Sequence, residues 1–266
     1  MTRTAFRSIV VATGAALGAL AVLAGTASSS SQAATPGVVK TSTTITTLAG
    51  SRPLHMITIT PGMGARLEAI WLGGGPGRTG TVGGFITRNA RSRGAIAGLN
   101  GDFFLLAAKV PSGNLFVHRG RSFLGNSERG AAVFAPDGSV DIIPGGAQGR
   151  RLVAQGVKEA ISGKPVYVDN GRVGNLALLD TSQRNRAYHR AAVGRLTNGK
   201  TGLVVIGGAG LSAQHFAKAL IRLGFVEALG MDIDSSANVN WRGGSLNRPS
   251  YQRQIPTGII VFRPTG

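Results

Sequence analysis

The sequence contains no cysteine, and this absence removes several kinds of chemistry at once. Disulfide bonds, thiol nucleophiles and thiolate metal sites all need a cysteine side chain. With 266 residues, the chain is long enough to bury a core that is stable without covalent cross-links. We therefore expect a packed fold whose chemistry comes from oxygen and nitrogen groups.

Acidic residues are scarce as well, with 11 Asp and Glu against 29 Lys and Arg and a formal net charge of +18 at pH 7. A surface with this balance favours anionic partners such as nucleic acid, acidic lipid or phosphate-bearing polymers. A basic surface that serves only solubility is the alternative. Because carboxylates are few, those placed between apolar residues become the main candidates for a site.

Aromatic residues make up only 6% of the chain. With so few aromatic side chains, the protein has little surface on which the bases of single-stranded nucleic acid could stack. The sequence also contains no DNA-reading motif. We predict that nucleic acid is not a partner, and that a phosphate-rich polymer of the cell envelope fits the charge better.

The first 34 residues have the pattern of a secretory signal peptide. Arg3 and Arg7 precede an apolar run over residues 9–24, and small residues follow at the positions that a signal peptidase reads. Without these two arginines the net charge is +16. No later segment is long and apolar enough to span a bilayer. We predict a signal peptide at 1–34, a single domain at 35–266, no permanent membrane anchor, and a secreted protein.

Short strand patterns dominate the rest of the sequence. Apolar residues recur at helical spacing in two places, after Thr81 and after Ser212, and each of these residues is placed to cap a helix. Gly94 and Gly224 are placed to end the two helices. We predict an α+β fold with a mixed, mainly antiparallel sheet core and a few packed helices. The strands are expected at 38–48, 55–60, 65–72, 95–99, 203–206, 226–231 and 257–262.

Two of these strands end in polar clusters. The apolar run 95–99 stops at Asn100 and Asp102, and the run 225–230 is followed by Asp232 and Asp234. A carboxylate buried among apolar residues is costly unless it is paired or lies in a cleft. Because functional residues collect where strands end, we expect both clusters to contribute to one site.

Five segments carry a resemblance to a known family, and they occur in its order. The segments are 93–104 (RGAIAGLNGDFF), 188–194 (YHRAAVG), 210–224 beginning with GLS, 228–232 (ALGMD), and 253–262 beginning with RQIP. Together they span most of the chain after the leader, and on these segments the sequence resembles the phosphodiester glycosidase domain family. The resemblance implies a hydrolase that cleaves a sugar from a phosphodiester.

One departure from the family pattern lies at the second acidic cluster. Where the family has D-G-G-G-S, this chain has Asp232-Ile-Asp-Ser-Ser236. Glycine lets the backbone adopt positive φ or approach a ligand closely. We therefore expect a reshaped or narrower pocket, with Asp234 as a carboxylate that the family does not supply.

The resemblance and the chemistry of the residues together suggest a catalytic set. Paired carboxylates carry most glycoside hydrolysis, and Asp102 and Asp232 are the candidate pair, with Asp234 in reserve. Arg190 is a candidate to grip the phosphate, because guanidinium binds it in a bidentate manner. The alternatives are turn capping or buried ion pairing for the carboxylates and a structural salt bridge for the arginine.

Four further residues are candidates for substrate binding. Asn100 and Ser236 offer hydrogen bonds to sugar hydroxyl or acetamido groups, and Arg253 offers a second guanidinium for the phosphate. His189 titrates near neutral pH, although neighbouring strand residues face opposite ways, so a partly exposed strand histidine is the alternative to a site role.

A divalent cation is a candidate cofactor. If the strand continues past residue 230, alternation places Asp232 and Asp234 on one face, where their oxygens would bind such an ion. Trp241 and Tyr251 are candidates to stack on a sugar ring.

The sequence thus predicts an exported hydrolase that cleaves a glycosyl-1-phosphodiester linkage, with a phosphorylated glycan of the envelope as its substrate. The alternative is a non-catalytic module that binds anionic cell-wall glycans. The sugar and the oligomeric state are not defined by these patterns.

Overall fold

The computed structural model describes residues 35–47, 50–248 and 252–264. The predicted signal peptide and Tyr251 lie outside the described residues, so both remain predictions from the sequence. Among the described residues, no helix has the length and apolar character needed to cross a membrane.

Strands make up most of the regular structure within the described residues, and four short helices accompany them there. The helices are α1 (Val82–Asn89), α2 (Gly149–Ala154), α3 (Thr181–Asn185) and α4 (Ala213–Arg222). The strands are β1 (Val38–Thr47), β2 (Gly50–Ile59), β3 (Arg66–Trp71), β4 (Ala95–Asn100), β5 (Phe104–Leu105), β6 (Val110–Pro111), β7 (Phe116–His118), β8 (Arg121–Leu124), β9 (Asn126–Ser127), β10 (Gly130–Phe134), β11 (Val140–Ile143), β12 (Ala147–Gln148), β13 (Glu159–Gly163), β14 (Val166–Asp169), β15 (Arg172–Val173), β16 (Tyr188–Leu196), β17 (Thr201–Leu211), β18 (Phe225–Gly230), β19 (Val239–Trp241), β20 (Gly244–Ser245) and β21 (Thr257–Phe262).

The strands form three large sheets. One has seven strands in the order β1-β2-β17-β16-β18-β14-β15, and two have five strands in the orders β20-β19-β4-β21-β3 and β11-β10-β13-β7-β8. The strand pairs of these sheets are antiparallel. The predicted α+β class with a mainly antiparallel core is confirmed.

The seven-stranded sheet is covered on both faces, which explains why β17 is apolar at consecutive positions. Leu203 and Val205 belong to the central core between the large sheets. Val204 and Ile206 point to the other face and pack with residues of α4. Alternate side chains of a strand face opposite sides, so a strand buried on both faces has no polar alternation.

The same logic holds for β21 in the second sheet. Ile259 and Val261 belong to the central core, whereas Ile260 and Phe262 pack with residues of α1. The order of layers is therefore α4, the seven-stranded sheet, the sheet of β3, β4 and β21, and α1.

The helix caps agree with their sequence signals. Thr81 accepts a hydrogen bond from the Gly84 amide at the start of α1, and the Ser212 hydroxyl caps α4. Gly224, which follows α4, has a φ of 89°, the left-handed conformation expected at a helix end. The first helix is shorter than predicted, because it ends at Asn89 and turns cover the residues before Gly94.

Candidate active site

The ends of β4 and β18 meet, although the two strands belong to different sheets. The amide of Asp232 donates to the carbonyl of Gly101 over 2.9 Å, and the side chain of Asn100 donates to the carbonyl of Asp232 over 2.8 Å. The structure thus brings the two predicted acidic clusters together, and Asp102 and Asp232 share one site.

Asn100 holds this junction in place. It is fully buried, and its Oδ1 accepts from the amide of Asn238 over 3.0 Å while its Nδ2 donates to backbone carbonyls. These contacts give Asn100 a positioning role. The sugar contact predicted for Asn100 remains a prediction.

Asp102 is the more deeply buried carboxylate of the pair. Its Oδ2 accepts from the Gly113 amide over 2.9 Å and from the Ser162 hydroxyl over 2.7 Å. Its Oδ1 is buried and has no hydrogen-bond partner among the described residues. Desolvation raises the pKa of Asp102, and the Ser162 hydrogen bond and the charge of Arg129 oppose that rise.

Asp232 lies at the edge of the buried region, 9% exposed. Desolvation raises its pKa to about 6, helped by the nearby charge of Asp102, whereas hydrogen bonds from Ser236 and from the Ile233 amide oppose the rise. A carboxyl group with this pKa exchanges its proton close to neutral pH, as a general acid or base must.

A guanidinium is linked to Asp232 through Ser236. Arg253 donates to the hydroxyls of Ser235 over 2.8 Å and Ser236 over 3.2 Å, and it lies over the ring of Phe104. Ser236 in turn hydrogen-bonds to the Asp232 carboxylate. The structure thus places Ser236 and Arg253 beside Asp232. Their predicted contacts with sugar and phosphate remain predictions.

Two more cations approach the carboxylates, and sequence reasoning missed both. The charge of Lys164 interacts with those of Asp102 and Asp232, and its ammonium lies 4.7 Å from the centre of the Phe103 ring. Desolvation lowers the pKa of Lys164. Arg129 interacts electrostatically with both Lys164 and Asp102. No local motif marks either residue, because the pairing of β13, β10 and β14 with other strands brings them here.

The side chain of Arg190 has no exposed surface, and its hydrogen-bond partners do not include Asp102, Asp232 or Asp234. Its guanidinium donates to the carbonyls of Leu211 (2.6 Å), Gln183 (2.5 Å) and Arg186 (3.1 Å) and to the hydroxyl of Tyr167 (3.0 Å). These contacts tie β16 to β17 and to α3. The geometry favours a positioning role for Arg190, and the predicted phosphate contact finds no support in it.

The alternation argument for Asp234 is wrong, because β18 ends at Gly230 before the acidic cluster begins. Asp234 lies in a turn with a φ of 54°, and its exposed carboxylate is 3.8 Å from the guanidinium of Arg248. The left-handed conformation is thus present at the middle position of the family's three glycines, since aspartate tolerates it better than most residues. A cation bound by Asp232 and Asp234 remains a prediction.

His189 borders the same turn. Its Nε2 donates to the carbonyl of Gly208 over 2.6 Å, and its Nδ1 accepts from Arg248. Burial and the charge of Arg248 lower the pKa of His189. His189 is partly exposed and its neighbour Arg190 is buried, which agrees with their expected opposite orientation. Its predicted substrate contact is still a prediction.

Comparisons with known proteins agree with the resemblance seen in the sequence. The family model for phosphodiester glycosidase matches residues 93–262, which is more than half of the chain. A comparison with curated protein sequences gives no match.

Several solved structures are similar in fold, and they include the following three. The zebrafish N-acetylglucosamine-1-phosphodiester alpha-N-acetylglucosaminidase catalytic domain, auto-inhibited by its pro-peptide, has a TM-score of 0.68 at 16% identity, with 89% of this chain and 86% of that chain covered. A hypothetical protein from Synechocystis has a TM-score of 0.66 at 17% identity, with 85% of this chain covered. The present chain spans only 62% of the length of that protein. A Burkholderia pseudomallei protein classed as exported has a TM-score of 0.54 at 12% identity, covering 80% of this chain and 74% of that one. At these sequence identities, the structural similarity supports the fold only. The family assignment rests on the family model, which shows that the chain belongs to the phosphodiester glycosidase family of hydrolases.

Proposed function

We propose that this protein is secreted and hydrolyses a glycosyl-1-phosphodiester linkage in an anionic polymer of the cell envelope. The observation that carries the proposal is the shared site of Asp102 and Asp232, two carboxylates brought together from different sheets with cations around them. The zebrafish relative in fold is named for action on an N-acetylglucosamine-1-phosphodiester, which is the same class of linkage.

Asp232 is the base in the proposed reaction. In its ionised form it takes a proton from a water molecule, which attacks the anomeric carbon while the bond from that carbon to the phosphate oxygen breaks. The sugar gains a hydroxyl, and a phosphomonoester leaves. Phosphate is already a weak base, so its departure needs little help from an acid, and a pKa of about 6 keeps Asp232 ionised at neutral pH.

The phosphate is held by cations in this proposal. Lys164 and Arg129 approach from the β13–β14 side, and Arg253 approaches from the segment before β21. Their positive charge stabilises the negative charge that builds on the leaving phosphate, which is the effect that preorganised cations supply in phosphate sites. Burial keeps the pKa of Asp232 high, and the neighbouring charge of Asp102 adds to this effect.

Sugar release is the direct test. The purified protein is incubated with a panel of hexose-1-phosphodiesters, and free reducing sugar is measured. We expect release by the wild type and a loss of 10²- to 10⁴-fold in the variant Asp232→Asn, as is typical when a general base is removed. Asp141 is an exposed carboxylate on β11, and Asp141→Asn is the matched control that retains activity.

Two outcomes would contradict this assignment. Release that is unchanged in both Asp232→Asn and Asp102→Asn removes the two carboxylates from the mechanism. Binding of a phosphorylated glycan without any release supports the alternative, a non-catalytic module for anionic wall glycans. Thermal unfolding of each variant separates lost chemistry from a lost fold.

Export has its own test. The proposal rests on the basic start, the apolar run and the small residues of segment 1–34. Expression in the native host, followed by N-terminal sequencing of the protein in the medium, is expected to give a chain that begins near residue 35. A protein that stays in the cell with Met1 intact would contradict it.

A further inference from the structure

A second cationic site lies where β3 and β4 begin and β21 ends. This end of the three strands is opposite to the end that lies near Asp102 and Asp232. It is a cleft of ≈ 600 Å³, which we call the arginine cleft. β4 begins at this cleft and ends at the active site, and β21 runs between the same two places in the opposite direction. The lining residues are Arg66, Arg91, Ser92, Arg93, Gly94, Arg263 and Pro264.

The arginine cleft carries an excess of positive charge. Glu68 is the carboxylate beside it, and this residue accepts from Arg66 over 3.1 Å and from Arg93 over 2.6 Å. Within the described residues, neither Arg91 nor Arg263 has a carboxylate at salt-bridge distance. Among the described residues, four guanidinium groups against one carboxylate give the cleft a net excess of three positive charges, and such a cleft concentrates anions.

The two paired arginines are also held in place. The guanidinium groups of Arg66 and Arg93 lie 4.8 Å and 4.7 Å from the centre of the Phe262 ring. Cation–π contacts together with the Glu68 ion pairs fix both side chains before any ligand arrives. A binding site that is ordered in advance loses less entropy when its ligand binds.

We propose that the arginine cleft binds a second stretch of the same phosphodiester-linked glycan polymer, so that the enzyme grips its substrate at two places. This inference rests on the proposed function for its choice of ligand. The six residues of β4 span about 17 Å, so an extended polymer with one phosphate at the active site can reach the cleft with a later phosphate.

A glycan fits the cleft better than a nucleic acid. None of the lining residues is aromatic, and the ring of Phe262 behind them is fully buried. Single-stranded nucleic acid is held by stacking on exposed rings as well as by charge. A glycan phosphate polymer needs only the guanidinium groups, which bind phosphate in a bidentate manner.

The test compares two variants that lose the same charge. Arg91→Gln/Arg263→Gln removes the two unpaired arginines of the cleft, and Arg150→Gln/Arg151→Gln removes two exposed arginines of α2. Each is made in the Asp232→Asn background, so that cleavage does not consume the probe. Binding of a short polymer of hexose-1-phosphate repeats is measured by calorimetry, next to binding of a single-stranded DNA oligonucleotide of equal charge.

We expect the cleft variant to bind the hexose-1-phosphate polymer about tenfold more weakly, with a smaller salt dependence, and the α2 variant to bind it like its parent. With wild-type Asp232 restored, the cleft variant should keep its kcat/KM for a small hexose-1-phosphodiester. Equal losses in both double variants would mean that net charge alone attracts the polymer, and would overturn the site. Tighter binding of DNA than of the hexose-1-phosphate polymer would overturn the glycan assignment. Binding is measured in variants that lack Asp232 and does not depend on turnover. Failure of the arginine cleft to bind the polymer can therefore be distinguished from failure of the proposed hydrolysis.

Discussion

At the scale of single residues, Asp232 shows how a buried carboxylate, the base of the proposed reaction, costs stability. Its pKa rises from an ordinary value of 3.8 to about 6, because burial disfavours the charged carboxylate. A raised pKa means that the folded state holds the proton more tightly than the unfolded state. The stabilising contribution of the protonated group is therefore complete below about pH 4 and is lost as the pH rises through 6.

This leads to a prediction for the variant Asp232→Asn. At pH 7 the neutral amide avoids the cost of a buried charge, so the free energy of unfolding should rise by up to about 3 kcal/mol while hydrolysis is lost. Below about pH 4 the difference should vanish, because Asp232 is then protonated in both states. Urea unfolding of both proteins at several pH values measures this difference in the free energy of unfolding. A variant that is less stable than the wild type at pH 7 would contradict the raised pKa.

Lys164 supports a second prediction at this scale. Its charge interacts with those of Asp102 and Asp232, so Lys164→Gln removes a cation that favours the ionised form of Asp232. The pH at which activity is half-maximal should move upward, and the KM for a phosphodiester should increase about tenfold. Lys158 is exposed, and Lys158→Gln is the control. An unchanged pH profile together with an unchanged KM would remove Lys164 from the site.

At the scale of elements, Arg190 connects the strands that support the site. Its side chain joins β16 to β17 and α3 through neutral oxygen acceptors. The substitution Arg190→Met leaves buried carbonyls without donors, and each lost hydrogen bond to a charged group costs about 1.5–3 kcal/mol. We expect a decrease of at least about 3 kcal/mol in the free energy of unfolding.

The kinetics of the same variant distinguish the two roles considered for Arg190. A positioning residue affects kcat through the arrangement of β16 and leaves the KM for phosphodiester nearly unchanged in the folded fraction. A phosphate ligand raises the KM and leaves stability nearly intact, and that result would restore the role predicted from the sequence.

The elements themselves could be predicted in large part. β21 was expected at residues 257–262 and has these bounds. The prediction succeeded because the apolar residues of this strand form one uninterrupted run with polar residues on both sides. The caps Thr81 and Ser212 gave the helix starts, since their hydroxyls accept from nearby amides. The end of β18 was harder to predict. Nothing in the local pattern of residues 231–234 shows that Asp232 leaves the sheet to pair with Gly101.

The candidate site, like the secondary structure, could be predicted only in part from the sequence. The sequence predicted that Asp102 and Asp232 lie close together, because a carboxylate next to an apolar strand is conspicuous, and the structure brings the two together. Lys164 and Arg129 were missed, since a basic residue in a loop of a basic protein has no distinguishing local signal. Arg190 was found as part of a motif, and only tertiary contacts show that its donors point into the protein.

At the scale of the whole molecule, the net charge of +18 acts on stability and on substrate binding in opposite directions. Repulsion among like charges destabilises the folded state, whereas the same field attracts an anionic substrate. The Debye length falls from about 30 Å at 0.01 M salt to about 8 Å at 0.15 M, so both effects weaken over this range.

We therefore expect added sodium chloride to raise the free energy of unfolding and to lower kcat/KM for a phosphodiester substrate over the same range. Urea unfolding and sugar release, measured in matched buffers, provide the two readouts. The ion pairs of Glu68 with Arg66 and Arg93 favour the folded state and are screened too. If salt lowered the free energy of unfolding, these local pairs would outweigh the long-range repulsion. The surface would then stabilise the fold by its arrangement of charges despite their excess.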